Sequence, residues 1–194
     1  AIKQQLQHHH CRVINETYAA EQTVCHIQFH ASNTVAWQLF QGLLQHFPSL
    51  DIAVQPENQR RKKLLICDMD KTIVDAETLD EVAESIGIGE QIARITEQAM
   101  RGEIDFHGAL RQRISLLKGQ SQQVFKDIVA SCPLNPGAEL LIRQANAHGM
   151  TTILISGGFA EVAEPIAQQL GFDAVYCNQL ELEHGLLTGD VIEP

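Results

Sequence analysis

The chain is 194 residues long and carries 14 Lys+Arg against 24 Asp+Glu, a formal net charge of −10 with histidine neutral. With 44% hydrophobic and 20% charged residues it can bury a sizeable core as one or two domains, which excludes wholesale disorder. The acid excess disfavours an extended nucleic-acid surface. It is also uneven: six basic and four acidic residues precede Asp68, and eight and twenty run from Asp68 onward.

No apolar run approaches the ~20 residues that span a bilayer, and Ala1-Ile2-Lys3-Gln4-Gln5 lacks a signal-peptide core, so a cytoplasmic protein with no membrane partner is expected. The five cysteines, Cys11, Cys25, Cys67, Cys132 and Cys177, are odd in number and scattered, as expected of reduced thiols in a core. His8-His9-His10-Cys11 has no partner cluster and reads as a solvated segment rather than a metal site. The start at Ala1 and the stop at Val191-Ile192-Glu193-Pro194 read as cut ends.

In chain order, residues 23–29 alternate as a half-buried strand. Residues 33–47 carry one apolar stripe behind Ser32 or Asn33 as N-cap, and Pro48 closes that helix. Asp51-Ile52-Ala53-Val54-Gln55 reads as a second strand, completing a small α/β module over residues 1–58. The polar run through Arg60-Arg61-Lys62-Lys63 has no interleaved aromatics and reads as a linker, not a nucleic-acid patch. Leu64-Leu65-Ile66-Cys67 is a short continuous apolar run, as in a strand buried in a parallel sheet. Helical periods then fill about residues 77–130, punctuated by Gly87, Gly89, Gly102 and Gly119. A helix over Ala138–Ala147, a strand at Thr151-Thr152-Ile153-Leu154-Ile155, a Gly-Gly turn, a helix near 160–170, a strand near 174–177 and a hairpin around His184-Gly185 complete the pass. The expected fold is an α/β, Rossmann-type parallel core over residues 59–194 with an inserted helical cap.

The first core strand runs into Asp68-Met69-Asp70-Lys71-Thr72, and residues two apart on extended backbone point the same way. Two carboxylates thus meet at the carboxyl end of a parallel strand, where open α/β sheets bind ligands. The pair suits Mg²⁺, and it also allows one Asp to attack phosphorus while the other shuttles a proton. An EF-hand loop is ruled out, because Ile73 and Leu79 stand where Gly and Glu would be needed. A capping or turn role for the two Asp residues stays open. Ser156-Gly157-Gly158-Phe159 before a helix offers a hydroxyl and backbone N–H groups to an anion, although a plain turn explains the letters equally well. With Leu154 two residues before Ser156, the nucleophile elbow is absent and Ser156 reads as a phosphate binder.

These motifs, with Glu77, Met100 to Phe106 and Leu110-Arg111-Gln112-Arg113, closely resemble the phosphoserine phosphatases of the haloacid dehalogenase superfamily over about residues 60–194. The resemblance is to the bacterial two-domain form, whose small domain is similar to amino-acid-binding regulatory folds. It implies Mg²⁺-dependent hydrolysis of O-phospho-L-serine, the last step of serine biosynthesis. Asp68 would be the nucleophile and Asp70 the general acid and base, with Mg²⁺ on the Asp68 carboxylate and the Asp70 carbonyl. Glu77 would hold the ammonium, Arg113 the carboxylate, Ser156 with the Gly157 N–H the phosphoryl group, and Met100 and Phe106 an apolar wall. Two features depart from the family. Lys71 replaces a common serine and is expected to point away from the Asp pair. The family's later lysine and its Gly-Asp-Gly-x-Asn-Asp loop have no counterpart before Pro194, so the chain alone is expected to be nearly inactive. A phosphatase for another small phosphomonoester remains an alternative, as does a non-catalytic module that binds an amino acid or forms a homodimer.

Overall fold

The computed structural model describes residues 2–19, 21 and 23–192, and falls into two units, Ala1–Lys62 and Lys63–Pro194. The terminal residues Ala1 and Glu193-Pro194, read above as cut ends, lie outside the described residues.

In the first unit, α1 (Ile2–His8) leads into β1 (Arg12–Ala19), β2 (Val24–His30) and α2 (Asn33–His46). Ser32 caps α2, its hydroxyl accepting the Val35 N–H at 3.4 Å. The stripe on α2 buries Leu39 and Leu43 with Leu6 and Cys11. Two expectations are corrected here. Residues 51–55 form no strand; Ile52 alternates with its neighbours because it packs against this core, without entering a ladder. The partner of β2 is instead β1, paired antiparallel from Arg12 opposite His30 to Ala19 opposite Val24. Its register shifts between Val13 and Asn15, and such an irregularity destroys the two-residue period by which a strand is read. Nor is the His8-His9-His10-Cys11 run wholly solvated, since Cys11 is buried at the end of α1.

In the second unit, β3 (Leu64–Asp68) is followed by α3 (Thr78–Ser85), α4 (Gly89–Met100), α5 (Phe106–Ser115) and α6 (Gln123–Ser131). Then come α7 (Ala138–Ala147), β4 (Thr151–Phe159), α8 (Ala160–Leu170), β5 (Ala174–Glu183) and β6 (Leu186–Ile192). Among the described residues the sheet order is β3-β4-β5-β6, with the first two pairings parallel and the β5–β6 hairpin antiparallel. One core cluster joins Cys67 and Leu154 of the sheet to Val82, Leu110, Ile114, Phe125 and Ile142 of the helices. Leu64, Ile66, Ile155 and Tyr176, on the opposite faces of their strands, stay about half exposed, although parallel sheets ordinarily bury both faces. Asp68 pairs with Ile155, so the end of β3 lies beside Ser156 and the two motifs share one edge of the sheet.

Candidate active site

Past Asp68 the chain coils tightly around one carbonyl. The N–H groups of Thr72, Ile73 and Val74 all donate to the Met69 oxygen, at 3.2, 2.8 and 3.0 Å, and Met69 itself is fully buried. The coil carries Lys71 through a left-handed conformation (φ 53°) and directs its Nζ to Asp75 Oδ1 at 3.1 Å, away from the Asp pair. Thr72 Oγ1 donates to Asp68 Oδ2 at 3.0 Å. Asn135, far along the chain, clamps the coil by donating from Nδ2 to the Thr72 and Val74 carbonyls at 2.9 and 3.2 Å. Nothing in the local sequence signalled that clamp.

The coil opens onto a cavity of about 370 Å³ walled by β3–α3, α4, α5 and the end of β4. Its charged groups are Asp70, Glu77, Asp80 and Arg113; Leu79, Phe106, Leu110 and Phe159 supply apolar wall, and Gly157 and Gly158 backbone. Asp70 Oδ1 accepts the Thr78 N–H at 3.1 Å. Burial pushes the Asp70 carboxyl above its ordinary range; that hydrogen bond pulls against the shift, and the Asp68 and Asp80 charges add to it. Glu77 moves the same way, through burial first and then the Asp70 and Asp80 charges. Arg113 anchors Nε on the Ala109 carbonyl at 3.3 Å. Burial lowers its affinity for a proton, and the Asp80 and Glu77 charges oppose that loss.

Asp68 and Ser156 stand beside this cavity rather than in its wall. Ser156 is buried, and its Oγ accepts the Gly158 N–H at 2.9 Å. The Gly-Gly segment corrects the expected turn: it continues β4 as extended strand, and α8 begins directly after Phe159. Here β4 parts from β5, because Ile155 pairs with Tyr176 and Phe159 with Asn178, so four residues on one strand match two on the other. A Cβ on Gly158 would lie 3.0 Å from Ser156 Oγ, a tight approach that Ser156 would have to relieve by a small shift, and 3.6 Å from Asp70 Oδ2, in ordinary contact.

Phe106 reaches the cavity, its Cζ 3.4 Å from where a Cβ on Gly157 would stand. Met100 does not. It is 85% exposed: although only about 40° around α4 from the inward-facing Thr96, it is the last residue of that helix. Asp80 and Thr96 were missed by the sequence reading. Asp80 lies in the first turn of α3, three residues after Glu77 at its N-cap, a spacing that could have signalled it.

The donor set agrees in kind with a hard divalent cation, since the Asp68 carboxylate and the Asp70 carbonyl would both offer oxygen. Among the described residues no group of three or more His, Cys, Asp or Glu converges.

A parallel α/β core with a helical insertion after its first strand, and paired aspartates at that strand's end, defines a class of hydrolases. A family model described as haloacid dehalogenase-like hydrolase matches residues 65–194, and the chain belongs to that family. Phosphatases of the family in general use a divalent metal. The chain is 41% identical over 144 residues to a protein of Archaeoglobus fulgidus named phosphoserine phosphatase, covering 73% of this chain and 42% of that one. Among solved structures it is similar to one described as a phospho-aspartyl intermediate analogue of phosphoserine phosphatase (TM-score 0.63, 36% identity, 69% of this chain and 64% of that one). It is also similar to a HAD family hydrolase of Salmonella enterica serovar Typhi (TM-score 0.79, 26% identity, 99% of this chain and 67% of that one). The chain thus spans roughly two fifths to two thirds of the length of these proteins. Among the described residues no helix is long and apolar enough to cross a membrane.

Proposed function

We propose that this chain carries the nucleophile and the substrate pocket of a Mg²⁺-dependent phosphomonoester hydrolase acting on O-phospho-L-serine. One observation carries the reading: a single cavity gathers a carboxylate, a guanidinium and a glycine-backed strand end around Asp70, next to Asp68. The names of the Archaeoglobus relative and of the phospho-aspartyl analogue support it.

In this mechanism Arg113 grips the substrate carboxylate through its planar fork and Glu77 takes the ammonium. Ser156 and the Gly157 N–H receive the phosphoryl oxygens. An Asp68 oxygen attacks phosphorus as the bond to the serine oxygen breaks, and Asp70 gives that leaving oxygen its proton. The products are serine and an acyl phosphate on Asp68. Asp70, now a carboxylate, takes a proton from water as the water oxygen attacks the same phosphorus, releasing phosphate and restoring Asp68. Thr72 holds the Asp68 carboxylate in place through its hydroxyl. Mg²⁺, held by the Asp68 carboxylate and the Asp70 carbonyl, would offset the repulsion between an anionic nucleophile and an anionic substrate.

Calorimetric titration with three phosphomonoesters in Mg²⁺ buffer tests the reading. O-phospho-L-serine should bind at least about tenfold more tightly than O-phosphoethanolamine, which lacks the carboxylate, or phosphoglycolate, which lacks the ammonium. Equal affinity for all three would overturn the assignment of serine as the leaving group.

A further inference from the structure

We propose that Asn178 is a positioning residue that locks the Gly157–Gly158 peptide in the orientation an anion requires. This rests on the reading of Ser156 and Gly157 as phosphoryl binders. A peptide flanked by two glycines is the backbone unit least restrained by side chains, and rotating it exchanges the places of its N–H and its carbonyl oxygen. A flipped peptide would turn its carbonyl oxygen toward Ser156 Oγ and take away the N–H that orients that hydroxyl.

Both ends of this peptide are pinned. Its N–H, that of Gly158, donates to Ser156 Oγ at 2.9 Å. Its carbonyl, that of Gly157, accepts from Asn178 Nδ2 at 2.9 Å, across 21 residues of sequence. Asn178 is only 7% exposed, one of few buried polar side chains, and it stands on β5 where the ladder resumes opposite Phe159. Between Ile155 and Phe159 the β4 backbone has left its partner, so a side chain rather than a strand carbonyl or N–H must hold this peptide. The result also directs Ser156: its oxygen accepts from Gly158, so its own O–H is left to donate.

The test compares the whole chain with its Asn178→Leu variant, similar in volume and without a donor. Inorganic phosphate and L-serine are titrated separately by calorimetry in Mg²⁺ buffer, and hydrogen exchange is followed at the Gly158 amide. The expected result is phosphate binding weakened about tenfold, serine binding unchanged and faster Gly158 exchange. If the Leu variant does not fold, Asn178→Ala, which removes the donor without adding bulk, carries the same comparison. Unchanged phosphate affinity in a folded variant overturns the inference while the functional reading stands. Proportional loss for both ligands also overturns it, by making Asn178 a general structural residue. If the unaltered chain binds neither probe, the functional reading fails and the inference falls with it.

Discussion

Replacing Arg113 with Ala removes one planar guanidinium from the wall of a cavity whose other charged groups, Asp70, Glu77 and Asp80, are acidic. Arg113 is half-buried, and its Nε is tied back to the Ala109 carbonyl, so the fork is held before any ligand arrives. A hydrogen bond to a charged group contributes about 1.5–3 kcal/mol. Partial exposure favours the lower part of that range, which corresponds to about 10- to 30-fold in affinity. Removing the cation also relieves the cavity of its one counter-charge, so a general electrostatic loss must be separated from loss of the carboxylate contact. O-phosphoethanolamine provides the separation, because it keeps the phosphate and ammonium and lacks only the carboxylate. Calorimetry should show Arg113→Ala losing about 10- to 30-fold for O-phospho-L-serine and less than about threefold for O-phosphoethanolamine. Equal losses for the two, or none for the first, would refute a carboxylate fork.

Three further outcomes follow from the geometry. Asn135→Ala releases the Thr72 and Val74 carbonyls and should cost about 1–2 kcal/mol in urea unfolding, with faster amide exchange at residues 72–74; unchanged exchange there would contradict the clamp. Gly158→Ala places a methyl 3.0 Å from Ser156 Oγ and 3.6 Å from Asp70 Oδ2, and should weaken phosphate binding about tenfold or more in the titration described for Asn178. Glu161 keeps a buried Oε2 with no hydrogen-bond partner among the described residues, and burial pushes its carboxyl above the ordinary range. An acid whose folded pKa is raised makes the fold bind the extra proton, so its cost is absent below the unfolded value of about 4.3, grows as pH rises to the folded value and persists above it. Glu161→Gln should therefore stabilise by about 1 kcal/mol at neutral pH and make no difference near about pH 3, read from urea midpoints at both.

The second unit was legible because its elements obey simple periods. Leu64-Leu65-Ile66-Cys67 reads as a sheet strand and is one, though with Leu64 and Ile66 half exposed rather than buried, and the stripes of the inserted helices reproduce the buried Val82, Ile92, Leu110 and Ile114. The first unit was less legible because the shift between Val13 and Asn15 erases the alternation of β1, while residues 51–55 alternate for reasons of packing alone. At the site, the motifs declared Asp68, Asp70 and the glycine pair, whose chemistry depends on neighbours in sequence. Asn135 and Asn178 act across 61 or more residues and 21 residues, through side-chain hydrogen bonds to backbone carbonyls, and no local pattern marks such a residue. Met100 shows the converse: a motif letter can match while the side chain, at the last residue of α4, stands in solvent.

The central claim is that one cavity binds the phosphoryl and amino-acid halves of O-phospho-L-serine with separate groups of residues. Amide-resolved NMR titration of the chain with inorganic phosphate, L-serine and O-phospho-L-serine, all in Mg²⁺ buffer, tests it directly. Phosphate should move the signals of Ser156, Gly157 and Gly158, serine should move those around Glu77 and Arg113, and O-phospho-L-serine should move both sets together. The account is contradicted if O-phospho-L-serine moves neither set, or if its effects fall in the first unit alone.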